Sequence, residues 1–219
     1  MQKKCFNQKY GLEQAVLDGR KTMFRDVIKC PTNAFRLRLM RNCVGDWVVE
    51  AYDGVMRPVG YIKPRYKVGE VVAIAQNYKD AGWDADILQE AYVKNPTIFP
   101  DLDECEMSGI IDLPFKYHKG WTNKMLVRAD LMPHHIKITG IKVERLQDIS
   151  DEDCLREGVD ASNSFEIGYG VDWVYQFPND NRSYFTPREA FAALIDKVSG
   201  KDTWERNPWV FAYSFERVD

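Results

Sequence analysis

Cysteine is scarce and poorly placed for cross-linking. The five residues, Cys5, Cys30, Cys43, Cys105 and Cys154, are odd in number, and none sits in a C-x-x-C pair. This argues against a disulfide framework or a structural zinc site, and the thiols are expected to be reduced. His134 and His135 are adjacent, so on a strand they point to opposite sides. Without further ligands at metal spacing they suggest no metal site, and no cofactor is expected. There is no glycine-rich phosphate loop, and "GYG" at Gly168–Gly170 reads as a turn. No apolar run approaches the roughly 18 residues of a membrane helix, so no membrane partner is expected. The opening "MQKKCFNQKYG" lacks the apolar core of a signal peptide, and a cytoplasmic location is expected. Internal repeats and low-complexity tracts are absent.

What is present is ordinary in bulk. The chain has 219 residues, 45% hydrophobic and 29% charged, with a net charge of −3. That suits one elaborated soluble domain with a real core. An acidic chain is a poor general coat for nucleic acid. The charge is unevenly spread, however. Arg20, Lys21, Arg25, Lys29, Arg36, Arg38 and Arg41 face one acid, Asp26, within the same stretch, and "KPRYK" follows at Lys63–Lys67. Acids crowd later, at Asp80, Asp84, Asp86, Glu90 and "DLDECE". A local basic face of this kind can steer an anionic ligand.

Periodicity supplies the elements. Leu12, Ala15 and Val16 are spaced for a helix that stops at Gly19, and "TMFRDVI" reads as a strand. "VGEVVAIAQ" is a turn followed by a strand. In "HIKITGIKVERL" the apolar phase slips at Gly140, which predicts a β-bulge. "DISDEDCLREG" is a short helix capped by Ser150, with Glu157 in its last turn, where a carboxylate opposes the helix dipole and calls for a nearby cation. "TPREAFAALIDKVSG" is a helix with Thr186 as cap, Pro187 first and Glu189 closing the box. "NPWVFAYSFERV" is a closing strand with both faces partly buried. The stretches at about 77–121 and 160–185 read as irregular insertions. Strands outnumber helices without regular alternation, which predicts an α+β fold: a small mixed β-barrel with short helices at its mouth, as one domain over 1–219.

Four motifs, "GRKTMFR", "VGEVV", "KITGIKVERLQDISDEDCLREGV" and "GKDTWERNPWVFAYSFERV", resemble the ASCH-domain family, in particular its phage and prophage branch. The resemblance covers roughly the first third, Trp121–Val159 and Thr186–Val218. It implies a PUA-like barrel and the binding of RNA or a modified nucleoside or nucleotide. It also implies two alternatives. One is a hydrolase, either a nucleoside amidohydrolase or a ribonuclease. The other is a non-catalytic phage accessory module that binds protein, whose mark would be an apolar patch built by Asn77–Trp121.

By position, the family's lysine falls on Lys21 and its glutamate on Glu157. The family's threonine position is occupied by Phe24, which has no nucleophile, and Thr22 is the nearest hydroxyl. A lysine beside a glutamate in a half-open pocket can hold a polar ligand, move a proton or stabilise an oxyanion. The expected site is therefore Lys21 and Glu157, with Thr22 as a further catalytic candidate. Arg20 and Arg25 are expected at its edge, Lys124 at its rim, and Trp121 as a stacking platform.

Overall fold

A computed structural model describes residues 1–94, 119–163 and 173–219. The chain forms an α+β protein organised as two compact units. One comprises Met1–Phe6, Val71–Ile136 and Val218–Asp219; the other comprises Asn7–Glu70 and Lys137–Arg217.

In the first unit, β1 (Gln2–Lys4) pairs in parallel with β6 (Val71–Ile74), Lys3 standing opposite Ala73. Its core gathers Ala73, Ala75, Tyr78, Leu88, Val127 and Met132, with Trp83 and Trp121 packed half-buried against it. Burying the polar tips of such aromatic residues requires partners. Trp83 Nε1 donates to the Leu131 carbonyl at 2.8 Å, and the Tyr78 hydroxyl accepts from Arg128 N at 3.0 Å. The expected insertion at 77–121 contains a regular helix, α2 (Ala85–Lys94). Asp84 starts it, its carboxylate accepting from Asp86 N and Ile87 N. The rest of that insertion, 95–118, lies outside the described residues.

The second unit carries β2 (Met23–Val27), β10 (Trp209–Arg217) and, from Lys137 onward, β7 (His135–Arg145). The three are neighbours in one sheet, with β10 and β2 antiparallel and Tyr213 opposite Phe24. β7 runs as one continuous strand through Gly140. Strand alternation then gives the sheet two unlike faces. Arg25 points toward α3 (Asp151–Arg156) and α4 (Pro187–Ser199), where its guanidinium lies 5.8 Å from the Phe191 ring. On the opposite face Phe24 stacks on Tyr213 at 4.9 Å and meets Tyr66 edge-on at 5.7 Å. Both helices start as their capping residues dictate. Ser150 Oγ accepts from Asp153 N at 3.2 Å, and Thr186 Oγ1 accepts from Glu189 N at 3.1 Å. A last short helix, α5 (Thr203–Arg206), sets Trp204 edge-to-face with Phe191.

Two hairpins in the same unit make a second, three-stranded sheet in the order β3 (Arg36–Arg41), β4 (Trp47–Tyr52), β5 (Pro58–Ile62). Side-chain turns set the corners. Asn42 Oδ1 accepts from Val44 N and Asp46 N, and Asp53 Oδ1 from Val55 N and Arg57 N. The expected irregular insertion at 160–185 instead contains an antiparallel pair, β8 (Asp160–Asn163) and β9 (Trp173–Gln176). Among the described residues the strands make three separate sheets and no closed barrel is found. No helix among them is long and apolar enough to cross a membrane.

Candidate functional site

Lys21 and Glu157 meet, but inside the protein. Lys21 follows α1 (Leu12–Leu17) and enters β2, while Glu157 is the residue that ends α3. Lys21 Nζ lies 2.6 Å from Glu157 Oε2 and also donates to the Glu157 carbonyl at 2.6 Å, which offsets the negative end of the short helix. The two side chains are 3% and 6% exposed. Gly158 makes room for this crossing. Its φ is +98°, and a Cβ there would meet Leu12 at 3.1 Å and the Lys21 chain at 3.6 Å.

Arg25 is not at an edge: its side chain is 1% exposed. Its guanidinium reaches Glu157 Oε1 and Glu144 Oε1, each at 2.7 Å, and Asp153 Oδ2 at 3.4 Å. Lys142 and Arg156 close the far side, at 3.2 Å and 3.1 Å from the Asp153 carboxylate. Burial opposes ionisation of Glu157, but Lys21 and then Arg25 outweigh it, so its pKa falls below the ordinary carboxylate value. Asp153 follows the same pattern, with burial overcome by Lys142, Arg25 and Arg156. Burial likewise opposes the charge on Arg25, and Glu157 and Glu144 more than restore it. Both oxygens of Glu157 are engaged by cations, and the cluster reads as a buried ion-pair network that fastens α3 to the sheet.

The remaining expected residues have these places. Arg20 is exposed and ion-paired with Asp18 and Asp160. The Thr22 hydroxyl accepts from Arg156 Nε at 3.1 Å. Trp121 and Lys124 belong to the other unit, where Lys124 Nζ donates to the Phe6 carbonyl. Phe24 fills its own site with a ring stacked among aromatics, so no hydroxyl stands there. Two other tryptophans belong to the packing of the fold: Trp209 opens β10, and Trp204 meets the buried Phe191 edge-on.

The open, charged concavity is elsewhere, on the three-stranded sheet. Lys29 to Glu70 holds eight Lys and Arg against four Asp and Glu, in a chain whose net charge is −3. The two hairpins place the basic tract Arg36–Arg41 on one small sheet, and the second tract, Lys63–Lys67, follows directly after its last strand. Its outer face carries Arg36 opposite Tyr52, and Arg38 opposite Glu50, which in turn faces Tyr61. Tyr61 is 69% exposed, and its hydroxyl donates to Glu50 Oε1 at 2.9 Å. Tyr52 donates to the other Glu50 oxygen, so one carboxylate orients two rings. These bonds hold the Glu50 pKa down, Tyr52 being the larger cause, and Glu50 raises both phenols.

Two cavities open beside this face. One, of about 410 Å³, is lined by Met40, Asn42, Val48, Tyr61 and Lys63. The other, of about 320 Å³, lies where the β3–β4 turn meets the segment after β5, and includes Arg41, Asp46, Trp47, Lys63, Tyr66 and Lys67. The cavities share Val48 and Lys63. In the second, Arg41 lies 4.7 Å from the Trp47 ring centroid, and Lys67 pairs with Asp46 at 3.0 Å. A ring wall, exposed cations and a volume at the lower end of the roughly 300–1,000 Å³ of small-molecule sites can hold a polar anion with a flat group.

Sequence reasoning did not find Trp47, Tyr61 or the second sheet. The available signals were the Arg–Leu alternation that opens "RLRLMR" and the turn chemistry of "NCVGD" and "DGVM". No protein-family model matches the chain, and no curated protein or solved structure is significantly similar to it.

Proposed function

We propose that this chain is an ASCH-type, PUA-like protein that binds single-stranded RNA or a modified nucleotide. It holds the strand on the outer face of the β3–β4–β5 sheet. The observation that carries this reading is the convergence of two distant basic tracts with an exposed, oriented tyrosine beside two cavities. Arg36 and Arg38 supply phosphate contacts, Tyr61 supplies a π face, and Lys63 serves both cavities. Aromatic stacking adds about 1–3 kcal/mol per base without demanding a sequence. On this view the Lys21–Arg25–Glu157 network is scaffold, and the ligand never reaches it.

The test is anisotropy of a short labelled RNA over a salt series. Wild type should bind with an affinity that falls steeply with salt. Arg36→Ala and Arg38→Ala should each lower the log–log slope by about 0.7, the contribution of one phosphate contact on a single strand. Salt-independent binding, or arginine variants that bind like wild type, would refute the placement.

A further inference from the structure

The cavity at the end of the sheet has a charge that suits one particular part of a nucleic-acid strand. Arg41, Lys63 and Lys67 stand against a single carboxylate, Asp46, leaving two net positive charges around about 320 Å³. An internal phosphodiester carries one negative charge. A terminal phosphomonoester carries about −1.5 to −2 at neutral pH, with a second pKa near 6. The cavity also ends in a stacked wall, Trp47 under Arg41, and its inner side is closed by Tyr66, which is fully buried. A strand running across the face therefore arrives here with room for one nucleotide, a ring to stack it on and cations for two charges. Lys67 and Asp46 are both well exposed, at 72% and 50%, so their ion pair is weak and can open to admit an anion.

We infer that this cavity binds the phosphorylated end of a nucleic-acid strand, with the terminal base against Trp47 and the phosphomonoester among Arg41, Lys63 and Lys67. The inference rests on the RNA-binding reading above and narrows it to strands that end in phosphate. Asp46 acts as the counter-charge that Lys67 leaves when the phosphate enters. It thereby sets how strongly the end is preferred over the rest of the strand.

The experiment is competition, at fixed ionic strength and about pH 7.5, against an internally labelled RNA about ten nucleotides long, a length within common single-strand footprints. The competitors are the same strand with a 5′-phosphate, with a 3′-phosphate, or with hydroxyls at both ends, and uridine monophosphate. One phosphorylated strand should compete about tenfold better than the hydroxyl-ended one, and which one does so fixes the strand polarity. The advantage should shrink as pH falls through about 6, where the phosphate takes its second proton. Lys67→Gln should reduce the advantage and Asp46→Asn should increase it. Equal competition by all three strands overturns the inference and leaves RNA binding intact. If no strand binds but uridine monophosphate does, the strand reading fails and the cavity is a mononucleotide site. If neither binds, both proposals fall.

Discussion

Replacing Glu157 by glutamine removes one negative charge from the buried centre of the cluster. In the native network Lys21, Arg25, Lys142 and Arg156 face Glu144, Asp153 and Glu157. The substitution takes the carboxylate away from Lys21 Nζ and removes one of the two 2.7 Å carboxylate partners of Arg25, Glu144 remaining. Both cations stay buried, because their backbone positions are fixed by β2 and by the close approach of Gly158. Removing one partner of a buried ion pair costs about 3–5 kcal/mol, because the charge opposite it keeps its desolvation penalty and loses attraction. Against a total stability of about 5–15 kcal/mol, this is a large fraction. For a chain of this size each kcal/mol moves Tm by about 2–4 °C, so the expected fall is about 6–20 °C. Thermal melts at neutral pH, read by circular dichroism, measure it directly. Arg20→Ala, which breaks two exposed pairs, is the control and should move Tm by no more than about 2 °C. A Glu157→Gln variant that melts within about 2 °C of wild type refutes the scaffold assignment, and the more so if it also loses RNA affinity.

The same network fixes the sign of the pH dependence. Glu157 and Asp153 are held below their ordinary pKa values in the fold. Their stabilisation is therefore complete above the unfolded carboxylate range, about 4–4.5, and is lost as pH falls through the lower folded values. Chemical denaturation between about pH 7 and 3 should show stability dropping at the acid end, with Glu157→Gln flattening the drop. Phe24→Ala should cost about 3–5 kcal/mol by opening a hole among Tyr66, Tyr213 and Phe215, measured by denaturant melts. A loss below about 1 kcal/mol would contradict its packing. Thiol labelling of the native protein should modify exposed Cys43 quickly and spare Cys154, whose pKa burial pushes up to about 12.

Several elements were legible in the sequence because their causes are local. Ser150 and Thr186 cap their helices through bonds spanning three residues, and the alternation of Trp209 to Phe215 survives as β10. The meeting of Lys21 with Glu157 came only through the family resemblance, since the two lie far apart along the chain. Its depth was not legible at all. Burial of Arg25 follows from the parity of β2 against β10, which turns it toward α3, a property of pairing rather than of any window of residues. The phase slip at Gly140, where Ile141 and Val143 take over, lies inside β7, and past it the polar Lys142 and Glu144 reach the ion-pair network. The basic sheet was missed for a related reason. Arg36–Arg41 and Lys63–Lys67 are two charge runs in the sequence, and only the Asn42 and Asp53 turns between them make one surface. The segment 160–185 read as irregular because its two strands are short, β8 and β9 being four residues each.

The most direct test of where the ligand lies is ultraviolet cross-linking of a uridine-containing single-stranded RNA to the intact protein, with the modified peptides mapped by mass spectrometry. Cross-links should fall on Tyr61 and Trp47, in peptides between Arg36 and Lys67. Cross-links confined to Trp121 or to peptides carrying Lys21 and Glu157 would contradict the placement of RNA on the three-stranded sheet.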